Sequence, residues 1–251
     1  MKYLLIATLL YSCTNLPSSG QVGKVSTIKL DTMNSKPVRI TSSPAIFETA
    51  FFQGTKAKVD TFLLSFYSVD IGKLHVESGK VIACDPIVMH HAKPFSQIFP
   101  IGHFPVQLAL ARVNDDERVA FSRILLSDKA VFEWKFALQA GQKDVPISGE
   151  TLYGYGVDGG IGLFIDEAAN TAFKALYNKN DNIWQEAFST KMNKHSFNTW
   201  QYSLFNFQGH NLASFSTGFG DGTYGTYIGY DDQGQPCRLL TDFGLVQWWS
   251  K

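Results

Sequence analysis

The sequence predicts a β-rich α+β domain, built on an antiparallel sheet or sandwich with a short helical insert. The chain has 251 residues, 45% of them hydrophobic, which suffices for the core of one large domain. Its 20 Phe, 10 Tyr and 21 Gly are typical of short aromatic strands joined by tight turns. Apolar residues alternate over most of the chain, and helical spacing is confined to one stretch.

The N-terminus has the features of an export signal. Residues 1–12 carry one positive charge, at Lys2, followed by an apolar run too short to span a bilayer. Ser12 and Cys13 resemble the lipobox of bacterial lipoproteins, so residues 1–12 are the predicted signal peptide and Cys13 the predicted lipid-attachment site. The polar residues 13–24 are the predicted tether. The alternative is a buried strand that ends in an ordinary Cys13.

An acylated N-terminus would determine where the protein works. Two or more acyl chains on Cys13 would hold the chain stably at a membrane surface. We therefore expect a protein of the bacterial cell envelope, anchored to a membrane and facing the periplasm or the exterior.

Residues 25–251 are expected to form a single β-rich domain. Alternation predicts consecutive strands over 104–113, 117–127 and 130–139, joined by short turns as an antiparallel meander. A turn at 78–80, between two other apolar runs, predicts a hairpin.

Helical spacing is found in residues 167–192. Asp166 precedes this stretch and is the predicted N-cap. The polar residues 178–182 interrupt the pattern and predict two short helices, after which aromatic strands resume at Phe205.

The stretch GYGVDGGIGLFID, at 154–166, contains the G-x-G-x-x-G pattern of dinucleotide-binding turns. Such a site needs a helix that begins within the motif, but here β-forming residues follow and no helix can begin before Asp166, so we reject this interpretation. A second stretch, GFGDGTYGTYIGYD at 218–231, repeats the first. The two are either hairpins of similar composition or loops of one backbone shape that hold Asp158 and Asp221 beside each other.

Both stretches belong to a wider resemblance. Together with GKVIACDP, PFSQIFPIGHFPVQLALARV, DERVAFSRILLSD and QPCRLLTDF, they are similar to the bacterial DUF4241 family, over about residues 70–245. The family is uncharacterised, so the resemblance implies a domain boundary and supplies no activity. It also implies that the following residues belong to the family pattern: Asp158, Asp166, Asp221, Gly222, Tyr224 and Asp242.

The candidate ligand or metal site consists of Asp158, Asp166, Asp221 and Tyr224. Carboxylates and loop carbonyls are ligands that suit Ca²⁺ or Mg²⁺. A bound cation with an open position would support hydrolysis. The alternative is structural, since Asp beside Gly also stabilises turns and Asp166 suits a helix cap. No residue is identified as catalytic.

The cysteines and histidines leave further alternatives open. Cys84 and Cys237 are either bridged, as an extracytoplasmic compartment would allow, or two buried thiols. A zinc site made of His90, His91 and His103 is a weaker hypothesis, because their spacing matches no zinc-binding motif.

The charge pattern narrows the class of partner. Basic and acidic residues number 22 each and no run of one sign is present, so we expect no nucleic-acid partner. The sequence favours a membrane-anchored module that binds a protein or a small molecule. A metal-dependent hydrolase that uses carboxylates of the two Asp-Gly loops is the alternative.

Overall fold

The computed structural model describes residues 41–147 and 151–250, so the predicted signal, Cys13 and the tether lie outside the described residues. The strands are β1 (Thr41–Ser42), β2 (Lys56–Val59), β3 (Phe62–Val76), β4 (Val81–Cys84), β5 (Gly102–Val113), β6 (Asp116–Leu125), β7 (Glu133–Phe136), β8 (Gly154–Val157), β9 (Ile161–Asp166), β10 (Tyr202–Phe207), β11 (His210–Ser216), β12 (Gly222–Tyr230), β13 (Pro236–Asp242) and β14 (Trp249–Ser250). The α-helices are α1 (Ile46–Thr49), α2 (Glu167–Tyr177) and α3 (Asn182–Gln185), and short 3₁₀ or π-helical turns span Pro86–Val88, Glu186–Thr190 and Met192–His195. Within these ranges no helix is both long and apolar enough to cross a membrane.

Antiparallel pairing produces one large sheet, one small sheet and a short terminal pair. The large sheet has the order β2-β3-β5-β6-β13-β12, with β7 and β8 both paired to the outer edge of β12. The small sheet has the order β10-β11-β9-β4, and β1 pairs with β14. This confirms the β-rich, antiparallel fold class with a short helical insert.

Strands β7 and β8 lie end to end along β12. After β7, the Ala137 amide donates to the Thr226 carbonyl at 2.9 Å, and the chain then leaves β12. It returns just before β8, where the Thr226 amide donates to the Tyr153 carbonyl at 3.0 Å. The expected three-strand meander is therefore wrong for its third strand, because β13 and β12 lie between β6 and β7. Aromatic packing favours this position, since Phe136 stacks on Tyr227 with ring centroids 5.1 Å apart.

The expected hairpin around residues 78–80 is also wrong. Strands β3 and β4 belong to different sheets, and the turn between them carries the chain from the large sheet to the small one. Gly79 in this turn has a φ of 76°, and a Cβ atom there would lie 2.9 Å from the Phe99 carbonyl oxygen. The buried carboxylate of Asp166 also binds this turn.

The described residues form two apolar clusters, a large one with residues from both sheets and a smaller one between the small sheet and α2. Phe47 of α1 packs against the large sheet, with its ring 5.8 Å or less from those of Phe121, Trp134, Tyr227 and Trp248. On the small sheet, α2 buries an apolar stripe that includes Phe173, and aromatic residues of β10 complete that cluster.

Cys84 and Cys237 are both buried and both free, so the disulfide alternative is not formed. Burial raises the pKa of both thiols, which keeps them protonated and unreactive. The Cys237 thiol donates to the Gly229 carbonyl at 3.3 Å.

Candidate functional site

The two glycine-rich stretches lie side by side. We call residues 158–160 and 218–221 the paired glycine loops. Strand β8 precedes the first loop and β12 follows the second, and these strands pair with Val157 opposite Gly222. Across the loops, the Gly160 amide donates to a carboxylate oxygen of Asp221 at 3.1 Å. The two loops are therefore neighbours, but they do not share one backbone shape, because Gly218 and Gly220 have positive φ values (47° and 111°) whereas their counterparts Gly154 and Gly156 lie in strand β8.

The strands beside the loops approach very closely. A Cβ atom on Gly154 would lie 1.7 Å from the Tyr224 carbonyl oxygen, closer than any atom can pack. Gly156, two residues further along β8, has open space at the corresponding position. Glycine at 154 is therefore required by β8–β12 pairing, without any need for a ligand.

Asp158 and Asp221 both have exposed side chains. The Asp221 carboxylate accepts one hydrogen bond, from Gly160. The Asp158 carboxylate accepts none from the part of the chain that the structure describes. Ca²⁺ takes about six to eight oxygen ligands, so these two exposed carboxylates do not by themselves complete a cation site.

Asp166 is fully buried and lies at the far end of β9 from the paired glycine loops. One carboxylate oxygen accepts from the Ala168 amide at 2.8 Å and caps α2, as predicted. The other accepts from the amides of Glu77 (3.1 Å) and Ser78 (3.0 Å), and the Ser78 hydroxyl lies 2.9 Å from both oxygens. The protein's own donors thus surround this carboxylate.

Tyr224 is buried beneath the second loop and supports it. Its hydroxyl donates to the Gly220 carbonyl at 2.7 Å, and its ring packs edge-on against Phe243 at 5.1 Å. Burial raises the pKa of this phenol. Of the four predicted site residues, Asp158, Asp221 and Tyr224 lie at the paired loops and Asp166 does not.

Asp85 is a loop-supporting residue that the sequence interpretation missed. Its buried carboxylate accepts from the amides of Asp158 (2.8 Å) and Gly159 (3.0 Å) with one oxygen, and from the Ile87 amide (2.7 Å) with the other. The Asp-Pro pair after a buried strand is a signal that could have revealed it, since Asp caps helical turns and Pro suits their first position.

No group of three or more His, Cys, Asp or Glu side chains is placed to hold a metal ion within residues 41–147 and 151–250. His103 stacks on His75, with centroids 4.2 Å apart, whereas His90 packs against Tyr177 at 5.1 Å. These separate contacts lend no support to the zinc hypothesis.

An apolar groove lies next to the second glycine loop. It encloses about 270 Å³ between the β2–β3 turn, the β5–β6 turn and Phe219 of the loop. Phe219 is 74% exposed and Phe62 is 57% exposed. The residues that line the groove are Val59, Phe62, Leu64, Ala111, Val113, Asp116, Arg118, Phe219 and Leu245.

Acidic residues outnumber basic ones in the turns beside the apolar groove. Asp60 and Asp115, in the two turns that border the groove, are exposed, as is Asp221 next to Phe219. Arg118 lies with its guanidinium 5.4 Å from the Phe219 ring centroid and is paired with Asp116 at 2.9 Å. Lys58, next to Val59, is exposed as well and makes no ion pair with the described residues, so the three exposed aspartates leave the rim with a net negative charge.

The fold and the groove define a strand-rich antiparallel domain with an exposed apolar groove. The family model described as a protein of unknown function (DUF4241) matches residues 74–241. The chain belongs to this family. The matched range contains both glycine loops, whereas Phe62 and Leu245 of the groove lie outside it. No curated protein and no solved structure matches the chain significantly.

Proposed function

We propose that this protein is a membrane-anchored binding module that holds a partner protein in the apolar groove. The observation that carries the proposal is the exposed Phe219 ring on a loop that the fold holds in place. The partner feature that fits is an apolar side chain flanked by basic residues.

The loop that carries Phe219 is fixed by hydrogen bonds on both sides of the ring. The Gly218 amide donates to the Val119 carbonyl at 3.1 Å, and the Gly220 amide donates to the Thr217 carbonyl at 2.6 Å. The Thr217 and Tyr224 hydroxyls both donate to the Gly220 carbonyl, at 2.8 and 2.7 Å. These bonds fix the backbone on either side of Phe219.

Exposure of the Phe219 ring has a cost that a partner removes. Burying a Phe side chain is worth about 1.5–3 kcal/mol, so a partner that covers the ring recovers energy of this size. The groove is already shaped, which limits the ordering cost of association. Aromatic side chains in such pockets are typical centres of binding energy in interfaces.

The acidic rim supplies selectivity. Asp60, Asp115 and Asp221 favour basic residues beside the apolar side chain and disfavour acidic ones. Such rim charges change the association rate and the salt dependence more than the affinity itself.

The membrane anchor is the second part of the proposal, and its support is in the sequence. Leu10, Ser12 and Cys13 have the lipobox arrangement, and a polar tether follows. Acylation of Cys13 would keep the groove close to other envelope proteins. Metabolic labelling with an alkyne-tagged fatty acid tests this directly. We expect label in the wild type and none in Cys13→Ser, and an unlabelled wild type would contradict the anchor.

Binding in the groove can be tested with designed peptides. The probes are nine-residue fluorescent peptides with a central Leu or Phe, flanked either by Lys and Arg or by Glu. Fluorescence anisotropy with the full chain is expected to show binding of the basic peptides and a loss of at least tenfold with Phe219→Ser.

The matched control is Phe132→Ser, because Phe132 is 80% exposed and lies outside the groove. Both variants should unfold at the wild-type urea midpoint, since each removes a solvent-exposed ring. Equal binding by the two variants, or tighter binding of the acidic peptides, would contradict the proposal.

A further inference from the structure

A second cavity, which we call the aromatic cavity, is lined mainly by residues of β12 and of the segment that follows β13. It encloses about 380 Å³ between β12, the end of β13 and the segment 244–249. This volume is within the range of small-molecule sites. The residues that line it are Thr151, Leu152, Thr223, Tyr224, Gly225, Tyr227, Asp242, Gly244, Val246, Gln247, Trp248 and Trp249.

Asp242 is the one charged side chain among these lining residues. It is 8% exposed, and its oxygens accept from the Gly244 amide (2.8 Å) and from the Trp248 indole N–H (2.8 Å). Both donors are neutral, and a carboxylate has lone pairs for further donors. Burial raises the pKa of Asp242 to about 6, because no positive charge compensates the ionised form.

Tyr227 provides a second polar group at the cavity. The side chain is 3% exposed, and its hydroxyl has no hydrogen-bond partner among the described residues. Burial and the nearby Asp242 charge raise the pKa of this phenol, so it stays protonated. Gly225 makes room for it, because a Cβ atom there would lie 2.5 Å from the Tyr227 hydroxyl oxygen and 2.8 Å from Leu152 Cδ1.

We propose that the aromatic cavity binds a small molecule through an ammonium group, with Asp242 as its counter-charge. An unpaired buried carboxylate is unfavourable, and a cation placed beside it restores the missing charge. Aromatic walls attract cations as well, and Tyr224, Tyr227, Trp248 and Trp249 supply them. The free Tyr227 hydroxyl is available to accept from a ligand N–H or to bind a ligand hydroxyl. A neutral ligand would leave the carboxylate uncompensated.

The site predicts a pH dependence of binding. Asp242 must be ionised to pair with an ammonium group, so affinity is expected to fall as the pH drops through about 6. The other titratable groups that line the cavity are Tyr224 and Tyr227, and both phenols are neutral in this range because burial raises their pKa values.

The experiment is a calorimetric titration of the full chain with choline, with n-butylammonium and with 3,3-dimethylbutan-1-ol, the uncharged isostere of choline. We expect saturable binding of at least one cation, and binding of the alcohol at least tenfold weaker than that of choline. Asp242→Asn should abolish the preference for charge, whereas Asp128→Asn, at an exposed carboxylate outside both the aromatic cavity and the apolar groove, should leave it unchanged.

The pH series on the wild type needs no variant and keeps the proposal testable if Asp242→Asn fails to fold. Affinity for the cations should drop at least tenfold between pH 7.5 and pH 5. Binding of neither cation, equal binding of choline and the alcohol, or an affinity that does not change with pH would overturn the proposal. A peptide that binds the apolar groove should not compete, which separates the two sites.

Discussion

Substitution of Asp166 by Ala provides the sharpest test of whether this carboxylate is structural. The change removes the cap of α2, worth about 1 kcal/mol. It also removes the acceptor for the amides of Glu77 and Ser78, and each hydrogen bond to a charged group is worth about 1.5 kcal/mol at the lower end. The expected loss is about 4 kcal/mol, a large part of the roughly 5–15 kcal/mol by which domains are stable.

Equilibrium unfolding in urea, followed by Trp fluorescence, measures this loss. Asp158→Ala is the matched control, because that carboxylate is exposed and accepts no hydrogen bond within the described ranges. It should change the free energy of unfolding by less than about 0.5 kcal/mol. A loss below about 1 kcal/mol for Asp166→Ala would refute the structural role and favour ligand binding by this carboxylate.

Three further predictions concern the packing of β8, the buried acid Asp242 and the metal hypothesis. Gly154→Ala places a methyl group 1.7 Å from a backbone oxygen of β12 and should cost about 3 kcal/mol or more in urea unfolding, whereas Gly156→Ala, with open space, should be nearly neutral. Burial raises the pKa of Asp242 from 3.8 to about 6, so the native state keeps a proton that the unfolded chain loses. Asp242 should therefore lower the stability by about 3 kcal/mol as the pH rises from 3.5 to 7, measured as the difference between matched pH series on the wild type and on Asp242→Asn. For the hydrolase alternative, a rise of the thermal midpoint with Ca²⁺ or Mg²⁺ that disappears in Asp158→Asn/Asp221→Asn would support a metal site, and no shift with either ion would count against it.

Local features of the fold could be predicted from the sequence. Alternating apolar and polar residues indicated a strand-rich chain. The cap of α2 could be predicted because Asp166 is a polar residue directly before a stretch with helical spacing of apolar residues. The rejected dinucleotide interpretation also depended on local order, because β9 continues for six residues where a helix would have to begin. These features depend on neighbours a few residues apart, which is the range over which periodicity and capping act.

Strand pairing could not be predicted in the same way. The segment of β7 reads as the next strand of a meander, yet it pairs with β12, about 90 residues further along the chain. The alternation of apolar and polar residues shows which face of a strand is buried. It does not show which strand lies beside it, because the same pattern suits every possible neighbour. Pairing is decided by cross-strand contacts such as Phe136 on Tyr227, whose partners the sequence does not identify.

The sequence by itself determined the class of the domain, the two glycine-rich loops and the polar residues around them. The tertiary structure decided that the loops are neighbours, that Asp85 and Asp166 are used internally, and that Phe62 and Phe219 meet at one groove. It also placed Asp242 and Tyr227 in one cavity. The physical reason is that burial and charge compensation depend on atoms brought together from distant segments, and only the folded chain fixes those distances.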